Sequence, residues 1–413
     1  MARVYKRTRN GRDDWVADYT DQHGARHRLG FPSRKEAERR LVAIQGEVAR
    51  GLHTPEHGSL TVAEAGERYL RHCRAERLAD MTIRHYSTLV RLHIVESAFG
   101  IGQIKVAALT APQVEEFRLW LLETHRTRIG LAKRILQILR GILAIAQKQG
   151  QVAQNVALEA KIRLRRGEKK KLQIGIDIPD VPDIELLLAH CRTKRFARFR
   201  PFLLTAVTTG MRVSEIRGLP WSAVDFKGRT ITVRQSANDL GAIIPYTKTE
   251  AGMERQIQMC PELVEALRAW RFTDWWSYAQ HATPRPRPAN PHDLVFPSRN
   301  GTPLAHNNVM SDYWYPLQLA AGMHGQRRGA KYHFHGLRHF YASYWLREGL
   351  AWAELTKLMG HASIAEVHKT YGHLFPGDRD IINKFDKFER LLGLGGDGAL
   401  PPNPPLRLVR PVR

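Results

Sequence analysis

The order of apolar and polar positions changes character several times along the chain. Near the start, Trp15-Val16-Ala17-Asp18-Tyr19 has the period-two alternation of a strand. Asp21-Gln22-His23-Gly24 is a turn signal, and Arg26 to Phe31 reads as the returning strand. Ser33 then opens a helix in which Ala37, Leu41, Ile44 and Val48 recur at three- and four-residue spacing, up to Gly51. Residues 1–57 are thus predicted to be a short hairpin sheet backed by one helix; a small accessory domain of another kind fits the pattern equally well. Residues 58–152 predict helices alone, in a domain drawn at 58–160. Thr61-Val62-Ala63-Glu64 and Thr110-Ala111-Pro112-Gln113 are capping boxes, the second with its proline in the first turn. From Ile129 to Lys148, Leu131, Ile135, Ile138, Leu139, Ile142 and Ile145 share one face, with Gly150 just past the end.

Apolar periodicity then stops, and residues 161–175 read as a linker. A larger domain follows at 176–393. Ile184 to Cys191 and Phe202 to Thr208 predict helices, whereas Arg229 to Arg234 and Arg255 to Met259 predict strands. Ile243 to Thr247 is expected to supply a third strand of that meander, between the other two. Residues 282–292 are proline-rich and predict a surface loop, and 394–413, rich in Gly, Pro and Arg, predict a disordered tail. There is no internal repeat. The expected fold class is multidomain α+β: mainly α, with small β-sheets.

Charge sharpens the picture. The 413 residues carry 64 Lys+Arg against 40 Asp+Glu, a formal net charge of +24. With 43% hydrophobic and 25% charged residues the chain is globular, not disordered. No run approaches the roughly 18 apolar residues of a membrane helix, and no secretory h-region follows Met1. Cys73, Cys191 and Cys260 are too scattered for a disulfide framework or a zinc ribbon. A cytoplasmic protein that meets a polyanion is expected; nucleic acid is the first candidate and an acidic membrane surface the weaker one. Candidate phosphate contacts are Lys133, Arg134 and Arg140 on the polar face of the long helix, and Arg163, Arg165, Arg166, Lys169, Lys170 and Lys171 in the linker. The plain alternative for each group is a solvated basic face.

Four segments of the largest domain could carry chemistry. In Thr209-Gly210-Met211-Arg212-Val213-Ser214-Glu215-Ile216, Gly210 ends one helix and Arg212 sits at the start of the next, where free N–H groups favour an anion. Glu215, three residues on, shares its face and can orient the guanidinium. Lys248, in Tyr246-Thr247-Lys248-Thr249, lies at a strand end before a turn; a solvated lysine is the ordinary reading, a proton donor the functional one. In His333-Phe334-His335-Gly336-Leu337-Arg338-His339, His335 and Arg338 share a helix face and match phosphate oxygens. The residues lack a metal-ligand pattern, so no metal is expected. The fourth segment, Leu358-Met359-Gly360-His361-Ala362-Ser363-Ile364, runs on to Lys369-Thr370-Tyr371-Gly372-His373. A lone tyrosine near a helix end is most often a packing residue. Beside two arginines, a lysine and two histidines it is also a candidate nucleophile in phosphoryl transfer.

These segments, in this order and at these separations, closely resemble the tyrosine recombinase family, specifically phage-type integrases. The resemblance rests on TTGMRVSEIRGL, YTKT, HGLRH and LMGHASIAEVHKTYGHL. It implies Arg212, Lys248, His335, Arg338, His361 and Tyr371 as the active-site set, with Glu215 in a supporting position. It further implies a helical core-binding domain at 58–160 and an arm-type DNA-binding domain at 1–57. The implied reaction is attack by Tyr371 on a scissile phosphate, giving a 3′-phosphotyrosyl link and a free 5′-hydroxyl protonated by Lys248. A 5′-hydroxyl of a partner duplex then reseals the strand, without ATP, metal or another cofactor. The implied partners are double-stranded DNA attachment sites, a homotetramer on DNA, and an excisionase or host DNA-bending protein. The implied role is integration and excision of a prophage or genomic island. Ile381, Ile382, Phe385, Phe388 and Leu392 line one face of a last helix, expected to dock on a neighbouring protomer. The alternatives are a type IB topoisomerase-like enzyme and a catalytically silent DNA-binding regulator.

Overall fold

In the computed structural model the described residues are 2–9, 12–22, 24–51, 53, 59–163, 171–245, 247, 249–272 and 289–375. Two compact units divide the chain, residues 1–169 and 170–413.

The first unit opens with an antiparallel sheet, β1 (Arg3–Arg9), β2 (Arg12–Thr20) and β3 (Arg26–Phe31), in that order. The hairpin predicted from the alternation is β2–β3, with Trp15 opposite Phe31 and Ala17 opposite Leu29. The sequence reading missed β1, because its basic residues hide the alternation; it is held by pairing, Val4 opposite Ala17. Helix α1 (Arg34–Ala49) starts on the Ser33 side chain, which accepts from the Glu36 backbone N–H. Its Leu41 and Ile44 close a small core over Ala17 and Tyr19.

The rest of this unit is helical: α2 (Val62–Ala75), α3 (Asp80–Val90), α4 (Ala111–Thr124) and α5 (Ile129–Lys148). Both expected capping boxes are present, Thr61 with Glu64 and Thr110 with Gln113. One face of α5 is buried from Ala132 to Ala146 and packs in a core with Leu70, Ile94, Phe117 and Leu121. That face explains why α5 was legible: burial at i, i+3, i+4 and i+7 is what a central helix requires. Lys133 and Arg134 are exposed, as a polar face demands. Arg140 departs from the expected basic face. Its guanidinium turns back onto the carbonyls of Ala157, at 3.0 Å, and Ala160, while Asn155 donates to the Arg140 carbonyl at 2.9 Å. It braces the turn after α5.

The second unit begins with α6 (Val181–His190), α7 (Arg200–Thr209) and the short α8 (Val213–Arg217). Strands β4 (Val224–Asp225), β5 (Thr230–Val233), β6 (Ser236–Ala237), β7 (Ile243–Ile244) and β8 (Arg255–Gln258) follow. The expected meander is corrected here. β5 pairs directly with β8, Ile231 opposite Ile257, and the third strand of the sheet is β4; Ile243–Ile244 pairs only with β6. The reason is a tight turn. The Asn238 side-chain oxygen accepts from the N–H groups of Leu240 and Ala242, and Gly241 takes φ +83°, so the chain folds straight back.

The remaining elements are α9 (Pro261–Arg271), α10 (His306–Asn308), α11 (Tyr315–Ala320), β9 (His324–Arg327), α12 (His335–Arg347), α13 (Trp352–Met359) and α14 (Ile364–Tyr371). A main core gathers α6, α7, the sheet and α9 around Phe202, Leu203, Ile231, Ile257 and Trp314. A separate small core joins α12, α13 and α14 through Tyr341, Leu355, Met359, Val367 and Tyr371. The last helix expected from sequence, 380–392, and the tail lie outside the described residues, as do most of the proline-rich loop and Arg165, Arg166, Lys169 and Lys170 of the linker. Among the described residues, no helix is long and apolar enough to cross a membrane.

Arg140→Ala is expected to lower the stability of the helical region by about 1.5–3 kcal/mol, the usual range for hydrogen bonds from a charged donor. Lys133→Ala and Arg134→Ala should each stay within about 0.5 kcal/mol of wild type. Urea denaturation of the three variants checks this contrast.

Candidate active site

The site is built around a buried carboxylate. Glu215 is 1% exposed, yet it lies on α8 in the first turn after Arg212. Its two oxygens take four hydrogen bonds. Oε1 accepts from Arg212 Nη1 at 2.8 Å and Arg255 Nη1 at 3.2 Å; Oε2 accepts from the Arg212 backbone N–H at 2.8 Å and from Arg255 Nη2. Burial alone pushes this carboxyl up, but Arg255 first, then Arg212 and Arg338, pull it down further, and its pKa lies below the ordinary value. The expected Arg212–Glu215 pair is therefore present, and Arg255 joins it.

All three arginines also grip the end of α13. Arg255 Nε donates to the Leu358 carbonyl at 3.1 Å, Arg338 Nη2 to the Met359 carbonyl, and Arg212 Nη2 to the Gly360 carbonyl at 3.1 Å. The last carbonyls of a helix lack partners within it and carry its negative dipole end, so they suit guanidinium groups. Thr249 Oγ1 adds a 2.7 Å bond to the Gly360 carbonyl. Gly360 has φ +61°, and a Cβ there would stand 2.7 Å from the Gly252 Cα, so only glycine fits. Gly210 plays the matching part at the end of α7. It has φ +60°, a Cβ would strike the Tyr341 ring at 2.5 Å, and its carbonyl accepts from Arg338 Nη1 at 2.6 Å.

Arg338 is 3% exposed. Burial first, then the neighbouring Arg212, pulls its pKa down to about 9, so it still carries its charge at neutral pH. His361 follows Gly360 directly. Burial and then Arg338 lower its pKa, and its two ring nitrogens are buried without a hydrogen bond, Nδ1 lying 3.4 Å from a Glu366 oxygen. Buried ring nitrogens beside Arg338 and Arg212 are placed to hydrogen-bond an anion. Tyr371 ends α14 at 1% exposure, and its Oη lies 2.7 Å from Nδ1 of His339. Burial pushes the phenol's pKa well up, with Arg338 pulling the other way. His335 opens α12, exposed, with its ring edge-on to His339 at 4.8 Å between centroids.

The structure thus brings together Arg212, Glu215, Arg338, His361 and Tyr371, with His335 alongside. Lys248 lies outside the described residues. Residues 180–377, which hold all of these, match the family model described as the phage integrase family. Residues 180–377 form a phage integrase domain. The chain's integrase-type relatives align along most of their length. A protein from Caldanaerobacter subterraneus subsp. tengcongensis described as "Tyrosine recombinase XerC-like" is 21% identical over 399 residues, covering 91% of this chain and 96% of the relative. An "Integrase" from Streptomyces ambofaciens is 25% identical over 381 residues, 87% of this chain and 89% of the relative. Among solved structures, the Tn1549 transposon integrase in complex with a circular intermediate DNA superposes with a TM-score of 0.60 at 18% identity, covering 81% of this chain and 100% of that one. A lambda integrase tetramer bound to a Holliday junction gives 0.53 at 17% identity, covering 85% and 92%. At these identities the two structures establish a shared integrase fold.

Sequence reasoning missed Arg255, Thr249 and His339 as members of this site. Arg255 left a signal: it occupies an inward position of β8, whose burial alternates from Arg255 on, where an apolar residue is normal. His339 sat inside the quoted motif but off the face shared by His335 and Arg338.

Glu215→Gln is expected to cost about 3–5 kcal/mol at pH 7, because it strands buried guanidinium groups. The sign with pH follows from the lowered pKa in the folded state. Glu215 contributes its stability above the unfolded value of about 4.3 and loses it as pH falls through the folded value. The gap between wild type and variant should therefore close in acid, as read by urea titrations at several pH values.

Proposed function

We propose that this protein is a site-specific DNA recombinase that cuts and rejoins strands through a 3′-phosphotyrosyl link to Tyr371, integrating and excising a prophage or genomic island. The observation that carries this reading is the gathering of Arg212, Arg338 and His361 at the end of α13, one short helix before Tyr371. Arg212 and Arg338 neutralise the non-bridging oxygens of the scissile phosphate and the charge that grows in its transition state. His361 and His335 hydrogen-bond the same phosphate, Lys248 protonates the departing 5′-oxygen, and Tyr371 is the nucleophile. Glu215 holds Arg212 in place.

The substrate is double-stranded DNA carrying attachment sites, and the net charge of +24 suits it. Residues 1–57 act as the arm-type DNA-binding domain and 58–160 as the core-binding domain. Lys133, Arg134 and the basic residues from Arg163 to Lys171 contact phosphates, which positions the enzyme without reading sequence. The lambda integrase tetramer on a Holliday junction supports a homotetrameric synapse. An excisionase or a host DNA-bending protein assists it, and the reaction takes place in the cytoplasm.

A nicked suicide duplex carrying the attachment site tests this reading. Wild type should accumulate a covalent protein–DNA adduct, and Tyr371→Phe should give none while binding the duplex within about threefold of wild type. An adduct with Tyr371→Phe would remove Tyr371 as nucleophile. Replacing Lys169, Lys170 and Lys171 by Gln should leave cleavage of bound substrate unchanged. It should also flatten log K against log salt by about 0.9 for each phosphate that is no longer neutralised.

A further inference from the structure

His339 lies outside the phosphate-binding set, yet it makes the closest polar contact to the nucleophile. Its Nδ1 is 2.7 Å from Tyr371 Oη, and the two rings meet at 65° with centroids 5.6 Å apart. One step along α12 from Arg338, it points about 100° away around the helix. It therefore reaches Tyr371, while Arg338 reaches the carbonyls of Gly210 and Met359. On its other side His339 lines a cavity of about 280 Å³ with Asp177, Lys331, His333 and His335. The imidazole thus stands between a buried phenol and a polar cavity. Burial first, then Arg338 and His361, holds its pKa down to about 4, with Asp177 pulling the other way. At neutral pH the ring is uncharged, and one nitrogen is free to accept a proton.

We infer that His339 is the general base for Tyr371, its Nδ1 accepting the phenol proton as Oη attacks the phosphorus. This rests on the recombinase reading above. In the cleavage step the Oη–P bond forms and the P–O5′ bond breaks. The phenol proton passes to His339, and the departing O5′ takes a proton from the acid assigned to Lys248. In resealing, the incoming 5′-hydroxyl gives its proton to that same lysine, now a free amine. The P–Oη bond then breaks, and the phenolate recovers its proton from the His339 imidazolium. Protons and charge return to their starting places, and no co-reactant is needed.

The same hydrogen bond could simply be a latch that keeps Tyr371 sheathed, and the test separates the two. His339→Asn keeps a hydrogen-bonding atom near the place of Nδ1 but cannot take up a proton. Rates of adduct formation on the nicked suicide duplex are measured between pH 6 and 8.5, with DNA binding and thermal unfolding as controls. Wild type should be nearly independent of pH. His339→Asn should bind DNA equally and cleave about 10²–10⁴-fold more slowly, the usual contribution of a positioned base. Its rate should rise about tenfold per pH unit, because the phenol must then lose its proton to hydroxide. His339→Gln, a longer amide, serves as the second variant if Asn destabilises α12, with the same slope expected. A variant that cleaves within about threefold of wild type with an unchanged pH profile, or faster than wild type as a latch predicts, overturns the inference. A wild-type protein that binds the duplex but forms no adduct at any pH overturns the recombinase reading instead.

Discussion

One buried carboxylate organises the catalytic half of this molecule. Glu215 receives both terminal nitrogens of the Arg255 guanidinium and both a side-chain and a backbone donor of Arg212. An ion pair this deep adds little net stability, because desolvating its members offsets most of their attraction. What it supplies is position. A guanidinium whose donors are already committed on one edge presents the other edge in a fixed direction. Arg212, Arg255 and Arg338 are three cations against one carboxylate, which leaves two positive charges in a buried pocket. A phosphodiester in its transition state carries charge of the opposite sign and similar size.

The end of α13 is the second half of that arrangement. Three successive carbonyls, Leu358, Met359 and Gly360, each take one arginine, from β8, α12 and the start of α8 respectively. Elements far apart in sequence are thereby drawn to one point. The next residue is His361, and α14 follows at once to deliver Tyr371 into the small core with Met359 and Val367. Tyr371, the proposed nucleophile, and the cations are thus tied to the same helix end, so a shift of α13 would be felt by all of them. The two left-handed glycines, Gly210 and Gly360, are the price of bringing carbonyls that close to guanidinium groups.

The elements were legible wherever local periodicity governs. The α5 face, both capping boxes and the β2–β3 hairpin follow from spacing within a few residues. The strand pairing of the second unit was not. The stretch Ile243–Ile244 looks like a strand that could join β5 and β8, but an Asn238 turn directs it to β6. Arg140 failed in the same manner: its position on a polar face said exposed, whereas carbonyls twenty residues later had first claim on it.

The sequence alone carried the chemical inventory of the site, because arginines, histidines and a tyrosine at fixed separations are a property of the one-dimensional order. It also carried the pairing of Arg212 with Glu215, since three residues on a helix are neighbours whatever else the chain does. The tertiary structure decided who else belongs. Arg255 stands 40 residues from Glu215, and His339 stands 32 residues from Tyr371. Contacts over such separations depend on how helices and strands pack, and no local spacing encodes them. Burial, likewise a property of the packed chain, lowers the pKa of His339 and keeps its ring uncharged beside Tyr371.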